Sequence, residues 1–180
     1  IRTPLDFYMV ADHAEYMGIF NQMTNPDSPL SKIPLAKFVT SPDPGIRIQT
    51  FAKVLREMSA GKRDPDLSDP KLAHSVWEQI IKAADANYVP GKFTTFAGFE
   101  WTSNPQARNL HRVVVFRDTE HLPDLVLSAL DSSDPEVLWK WMDDQRARGA
   151  TLLAIPHNGN ASDGRMFEMR KFDGKPLDAA

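Results

Sequence analysis

The sequence predicts an α/β fold: a largely parallel sheet with one antiparallel β-hairpin at about residues 93–117. Three observations carry this prediction. The run Leu5-Asp6-Phe7-Tyr8-Met9-Val10-Ala11 stops abruptly at Asp12-His13, as a strand buried on both faces would. Asp-Pro pairs at 43–44, 69–70 and 134–135 each precede an apolar pattern of helical period, with aspartate as N-cap and proline in the first turn. Residues 102–109 are too few for a crossover helix, so the apolar segments on either side, 93–101 and 110–117, pair antiparallel.

The bulk composition narrows the possibilities. A chain of 180 residues suits one domain, and 42% hydrophobic content can bury a proper core. The net charge of −3, with acids and bases interspersed, gives no bulk support for nucleic-acid binding. No apolar run approaches the ~20 residues of a membrane span. Cysteine is absent, so any metal must be held by imidazole and carboxylate. The chain enters a core strand almost at once and ends at 177–180 without a closing element, so a piece of a longer protein is expected.

The elements follow in order. Residues 25–44 are rich in proline and read as loop with one short helix, placed to act as a lid or substrate wall. The first clear helix carries Ile48, Phe51, Ala52, Leu55 and Met58 on one face, with Gly61 as its C-cap. The second carries Leu72, Val76, Trp77, Ile80, Ile81 and Ala84 and stops near Asn87 or Pro90. After the hairpin, residues 123–130 read as a short helix. The third clear helix turns Val137, Leu138, Trp141 and Met142 inward and ends before Gly149. Residues 151–155 form the next strand and 156–160 leave it as a polar turn.

Four strand edges carry metal-ligating side chains: His13 with Asp12 beside it, Glu100, His111 and His157. In a hairpin the end of one strand lies beside the start of the next, which makes Glu100 and His111 neighbours. Ligands arriving from separate rigid elements suit a divalent cation such as zinc, manganese or iron, and Glu100 is the natural bridging carboxylate. A lone histidine at a strand end is more often a capping or surface residue, so the weight lies on the group. His74 reads as solvent-facing and His121 as part of a charged loop. Glu15 reads as an acceptor for an imidazole or as an early-helix acid. Trp77, Trp139 and Trp141 read as packing. In the loop after His157, Asn158 and Arg165 are candidate contacts for an anionic substrate, and Arg108 is a weaker one. Gly-x-Ser-x-Gly, phosphate-loop and dinucleotide signatures are all missing.

Several motifs together resemble the domain of unknown function 3604 (DUF3604) family of bacterial proteins. They are Pro4-Leu5-Asp6-Phe7 leading into Val10-Ala11-Asp12-His13-Ala14-Glu15-Tyr16-Met17-Gly18, then Gly98-Phe99-Glu100-Trp101-Thr102, then Asn109-Leu110-His111-Arg112-Val113-Val114-Val115-Phe116-Arg117, and Ile155-Pro156-His157-Asn158. That family is similar to the polymerase-and-histidinol-phosphatase (PHP) superfamily of metal-dependent phosphoesterases. The resemblance implies part of a distorted seven-stranded TIM-like β/α barrel. It implies His13, Glu100, His111 and His157 as metal ligands, Asp12 and Glu100 as catalytic groups, and a small-molecule or phosphoester substrate. The superfamily's opening His-x-His and closing Asp-x-His motifs are not found between Ile1 and Ala180. The expectation is therefore a single domain fragment over 1–180 that lacks the first strand or strands and the C-terminal part of the barrel. The missing parts, or a second chain, would complete it, and the fragment alone would be inactive. Export to the periplasm is an option by resemblance only. A non-catalytic module retaining a partial metal site is the alternative reading.

Overall fold

The computed structural model describes residues 3–177. It is a mixed α/β structure with two small sheets. Strands β1 (Phe7–Met9) and β3 (Thr94–Phe96) pair in parallel. The second sheet has the order β2 (Asp12–His13), β4 (Gly98–Trp101), β5 (Arg112–Phe116), β6 (Leu152–Pro156). The pair β2–β4 is parallel, while β4–β5 and β5–β6 are antiparallel, with Glu100 opposite Val113 and Val113 opposite Ile155. The expected hairpin therefore forms. The carboxyl ends of β2, β4 and β6 all lie at the edge where β5 begins. The sheets stay open, and no closed barrel forms among the described residues.

Each strand of the larger sheet separates two environments, because successive side chains point to opposite faces. Phe99, Trp101, Val114, Phe116, Leu152 and Ala154 take one face. They pack against Trp77 and Ala84 of α4 (Pro70–Asn87) and Leu138 and Met142 of α5 (Pro135–Ala147). Trp77 meets Phe99 edge-on at 6.3 Å, and Phe99 meets Trp141 at 5.8 Å. Such contacts add to the hydrophobic stabilisation of the large rings themselves. The other face carries Glu100, Val113, Leu153 and Ile155, of which Leu153 and Ile155 are half exposed.

The Asp-Pro starts hold. Asp43, Asp69 and Asp134 each accept backbone N–H groups in the first turn of α3 (Pro44–Ser59), α4 and α5. A lost cap of this kind costs typically about 1 kcal/mol. Gly61, with φ of 69°, ends α3 in the left-handed region, where its missing Cβ removes the penalty.

Five expectations need correction. The first strand is not buried on both faces: Phe7, Tyr8 and Val10 are exposed, because β1 pairs with β3 alone and only an open cleft lies between it and α4. The chain also breaks at Val10–Ala11, and its partner breaks at Ala97, so β1–β3 and β2–β4 are separate pairings. Residues 25–44 form α2 (Pro34–Val39) and a 3-10 turn at Pro29–Lys32. With α1 (Ile19–Gln22) they build a second small core around Ile19, Met23, Ala36, Val54 and Leu67, rather than a lid. On α3 the buried residue is Val54, while Ile48 and Phe51 face solvent; on α5 Val137 is likewise exposed. Helical period fixes which residues share a face, not what covers it.

The fifth concerns residues 123–130, which are turn and bend rather than helix. Their polar groups are taken by side chains from elsewhere: Trp77 Nε1 donates to Pro123 O, and His74 Nδ1 lies 2.7 Å from Asp124 O. The Ala129 N–H donates to Glu15. Such bonds outcompete an isolated helical turn. No helix among the described residues is long and apolar enough to cross a membrane.

Gly98 sits where β4 passes close to its neighbours. A Cβ there would lie 2.6 Å from the Val114 carbonyl oxygen and against Met9 Sδ. Gly98→Ala is expected to destabilise the fold by about 1–3 kcal/mol, as overpacking does. Urea unfolding reads this directly, and an unchanged midpoint would contradict the close approach.

Candidate metal centre

Strand alternation builds the site. Glu100 leaves β4 on the face opposite Phe99 and Trp101, and His13 lies across from it in register. His111 precedes β5 and His157 follows β6. The His157 N–H donates to His111 O at 3.0 Å, which extends the β5–β6 ladder by one step and places the two imidazoles side by side. Their rings stack, with centroids 6.2 Å apart and 5° between planes.

Glu100 is the centre of the group. It is buried, and its Oε1 lies 2.9 Å from His111 Nδ1, 3.5 Å from His157 Nδ1 and 3.7 Å from His13 Nδ1. The close His111 approach is off the hydrogen-bonding direction. Glu100 Oε1 has no directed partner among the described residues, and neither does the other ring nitrogen, His111 Nε2. Burial pushes the Glu100 carboxyl up, but the His111 contact and the charges of His13, His157 and His111 outweigh it, and its pKa falls below the ordinary glutamate value.

Glu100, His111 and His157 each offer a ligand atom within 4.8 Å of the others. Two imidazoles and a carboxylate from three adjacent strand ends fit the donor set of a borderline divalent cation. Buried acceptors with no directed partner are costly, and coordination would satisfy them. The residues present therefore fit a metal, although its identity does not follow from them.

His13 stands beside this trio rather than within it. Its Nδ1 is 2.6 Å from Thr102 Oγ1, and the Thr102 hydroxyl also reaches Glu100 O at 3.4 Å. With the hydroxyl proton directed to that carbonyl, Nδ1 is the donor and Nε2 keeps its lone pair. Thr102 was not legible as a site residue. A threonine two positions beyond Glu100 was its only signal. Glu15 takes neither role expected of it. Its Oε2 accepts from Thr102 N at 3.2 Å, and its Oε1 from Ala129 N at 2.6 Å and Ser128 Oγ at 3.3 Å.

The remaining candidates are dispersed. Asp12 alternates away from His13 and lines a cleft of about 540 Å3 against α4, with Tyr8, Val76 and Ile80. Arg108 Nε donates to Asp163 Oδ2 at 3.0 Å. Asn158 is exposed next to His157. Arg165 lines a small cavity with Arg112 and Trp139. His74 spans Asp124 O and Glu78, and the His121 ring packs over Gly149. A larger cavity of about 700 Å3 adjoins the trio, lined by His111, Thr102, Glu15, Asn104, Ser132 and Asp134 among others.

Over residues 1–180 the chain matches the family described as Protein of unknown function (DUF3604), and it belongs to that family. No curated protein and no solved structure matches it.

The depressed Glu100 pKa has a sign. Its stabilising contribution is complete above the unfolded carboxylate value of about 4.3 and is lost as pH falls through the lower folded value. In metal-free protein, the stability difference between wild type and Glu100→Gln should therefore shift against wild type as pH drops below about 4. Urea midpoints across that range check it, and a pH-independent difference would contradict the electrostatic reading.

Proposed function

We propose that the protein is a metal-dependent hydrolase of phosphoester-like substrates, a PHP-like enzyme whose barrel the described strands form in part. The observation that carries this reading is the convergence of Glu100, His111 and His157 beside a cavity of about 700 Å3. Openness also supports it. The His13 and His157 side chains are 61% and 47% exposed, whereas a purely structural metal site is closed by protein ligands.

A divalent cation at this position would polarise a phosphoryl or carbonyl oxygen and lower the pKa of water. The chain's own residues would supply the rest. Glu100 contributes the negative charge that holds the cation, and its burial keeps that charge from being screened. His111 and His157 complete the donor set. His13, oriented through Nδ1 by Thr102, keeps Nε2 available to bind the cation or to move a proton at the rim. The hydroxyl and amide groups of Ser132 and Asn104 line the cavity in which the rest of the substrate would lie.

The test uses the full-length protein, purified without chelator. Elemental analysis should find metal that is depleted in His157→Ala. Hydrolysis of aryl phosphate mono- and diesters should depend on that metal. It should fall in Glu100→Ala by more than the about 10–100-fold typical of losing an outer partner. Full turnover in Glu100→Ala would overturn the proposal. Stoichiometric metal with no hydrolysis of any ester would favour a binding module instead.

A further inference from the structure

Arg112 follows His111 directly, so its side chain leaves the opposite face of β5. There it is only 6% exposed, and its guanidinium carbon lies 6.0 Å from the ring centroids of both Trp101 and Trp139. Those distances are at the limit of a cation–π contact, about 6 Å. One of its five N–H donors is used, Nη1 donating to Leu110 O at 2.7 Å. No carboxylate among the described residues forms an ion pair or a hydrogen bond with it. A buried cation without a counter-charge is expensive, so the arrangement calls for an anion.

The space for one is present. Arg112 lines a cavity of about 120 Å3 together with Arg165, Arg170, Trp139, Glu136 and Glu168. Three arginines outnumber the two acids in this lining, and Glu136 Oε1 is held by Phe172 N at 3.2 Å. Arg170 reaches Gly174 O with Nη1 at 3.3 Å and keeps further donors. Water occupies about 30 Å3 per molecule, so the cavity has the room of about four waters, the scale of one tetrahedral oxyanion.

We propose that this cavity, on the face of the sheet away from Glu100, binds a tetrahedral oxyanion, phosphate or sulfate, through Arg112, Arg165 and Arg170. The planar guanidinium of Arg112, flanked by two indoles, presents fixed parallel donors to two oxygens. Arg165 and Arg170, both exposed at the mouth, close over the remaining ones. The site shares no side chain with the metal centre and stands independently of any hydrolytic reading.

Titration of the chelator-treated full-length protein with sodium phosphate and, separately, sodium sulfate tests this, with ionic strength held by chloride. The readout is tryptophan fluorescence, because Trp101 and Trp139 flank Arg112. A saturable change is expected with at least one of the two anions, and the two arms tell phosphate from sulfate. The double variant Arg165→Ala/Arg170→Ala alters exposed residues only, so it should fold. It should weaken binding at least about tenfold, as loss of charge-assisted hydrogen bonds does. His157→Ala should leave the affinity unchanged. Absence of any saturable change overturns the proposal, as does undiminished affinity in the double variant or loss of the response in His157→Ala.

Discussion

The two-residue alternation of β4, β5 and β6 is the constraint on which the rest of the structure depends. One side of the same three strands is an apolar wall of Phe99, Trp101, Val114 and Phe116, sealed by α4 and α5. The other side carries Glu100, with His111 and His157 extending the pattern by one step. Because the wall side is fully buried, a slip of register by one residue would expose it and bury the acid. The hydrophobic face therefore fixes the position of the polar one. The charge at Glu100 is held in place by packing it never touches.

A second layer ties this sheet edge to the surrounding loops. Glu15 is buried and bonds the Thr102 N–H on one side and the 128–129 turn on the other. Thr102 then contacts His13 through its hydroxyl. One carboxylate thus links the strand ends bearing His13 and Glu100 to the wall of the adjoining cavity. Loop 105–107 completes the rim, with Gln106 and Ala107 both at positive φ. Non-glycine residues hold that conformation only where surrounding contacts over-determine it. Here the Asn109 N–H donates to Ala161 O, and Arg108 pairs with Asp163, latching the hairpin loop to the loop after β6.

The sequence was most readable where local chemistry decides structure. Asp43, Asp69 and Asp134 cap helices because their side chains reach N–H groups two residues on, with proline already holding the next φ. The hairpin was readable because eight residues cannot hold a crossover helix, and it put Glu100 beside His111. What was not readable depends on distant partners. The 123–130 segment lost its helix to Glu15, Trp77 and His74, none of them near in sequence. Ile48 and Phe51 share a helical face that nothing among the described residues covers. Thr102 and Arg112 carry no compact motif, and a charged residue opening a strand reads as solvated until Trp101 and Trp139 are seen on either side.

The central claim is that Glu100, His111 and His157 form a cation site rather than a self-contained polar cluster. Anomalous diffraction from crystals grown with zinc or manganese tests it most directly. The account predicts one peak within about 2.0–2.2 Å of a Glu100 carboxylate oxygen and of a ring nitrogen from each of His111 and His157. A cation bound elsewhere, with Glu100 holding the three imidazoles through hydrogen bonds alone, would contradict it.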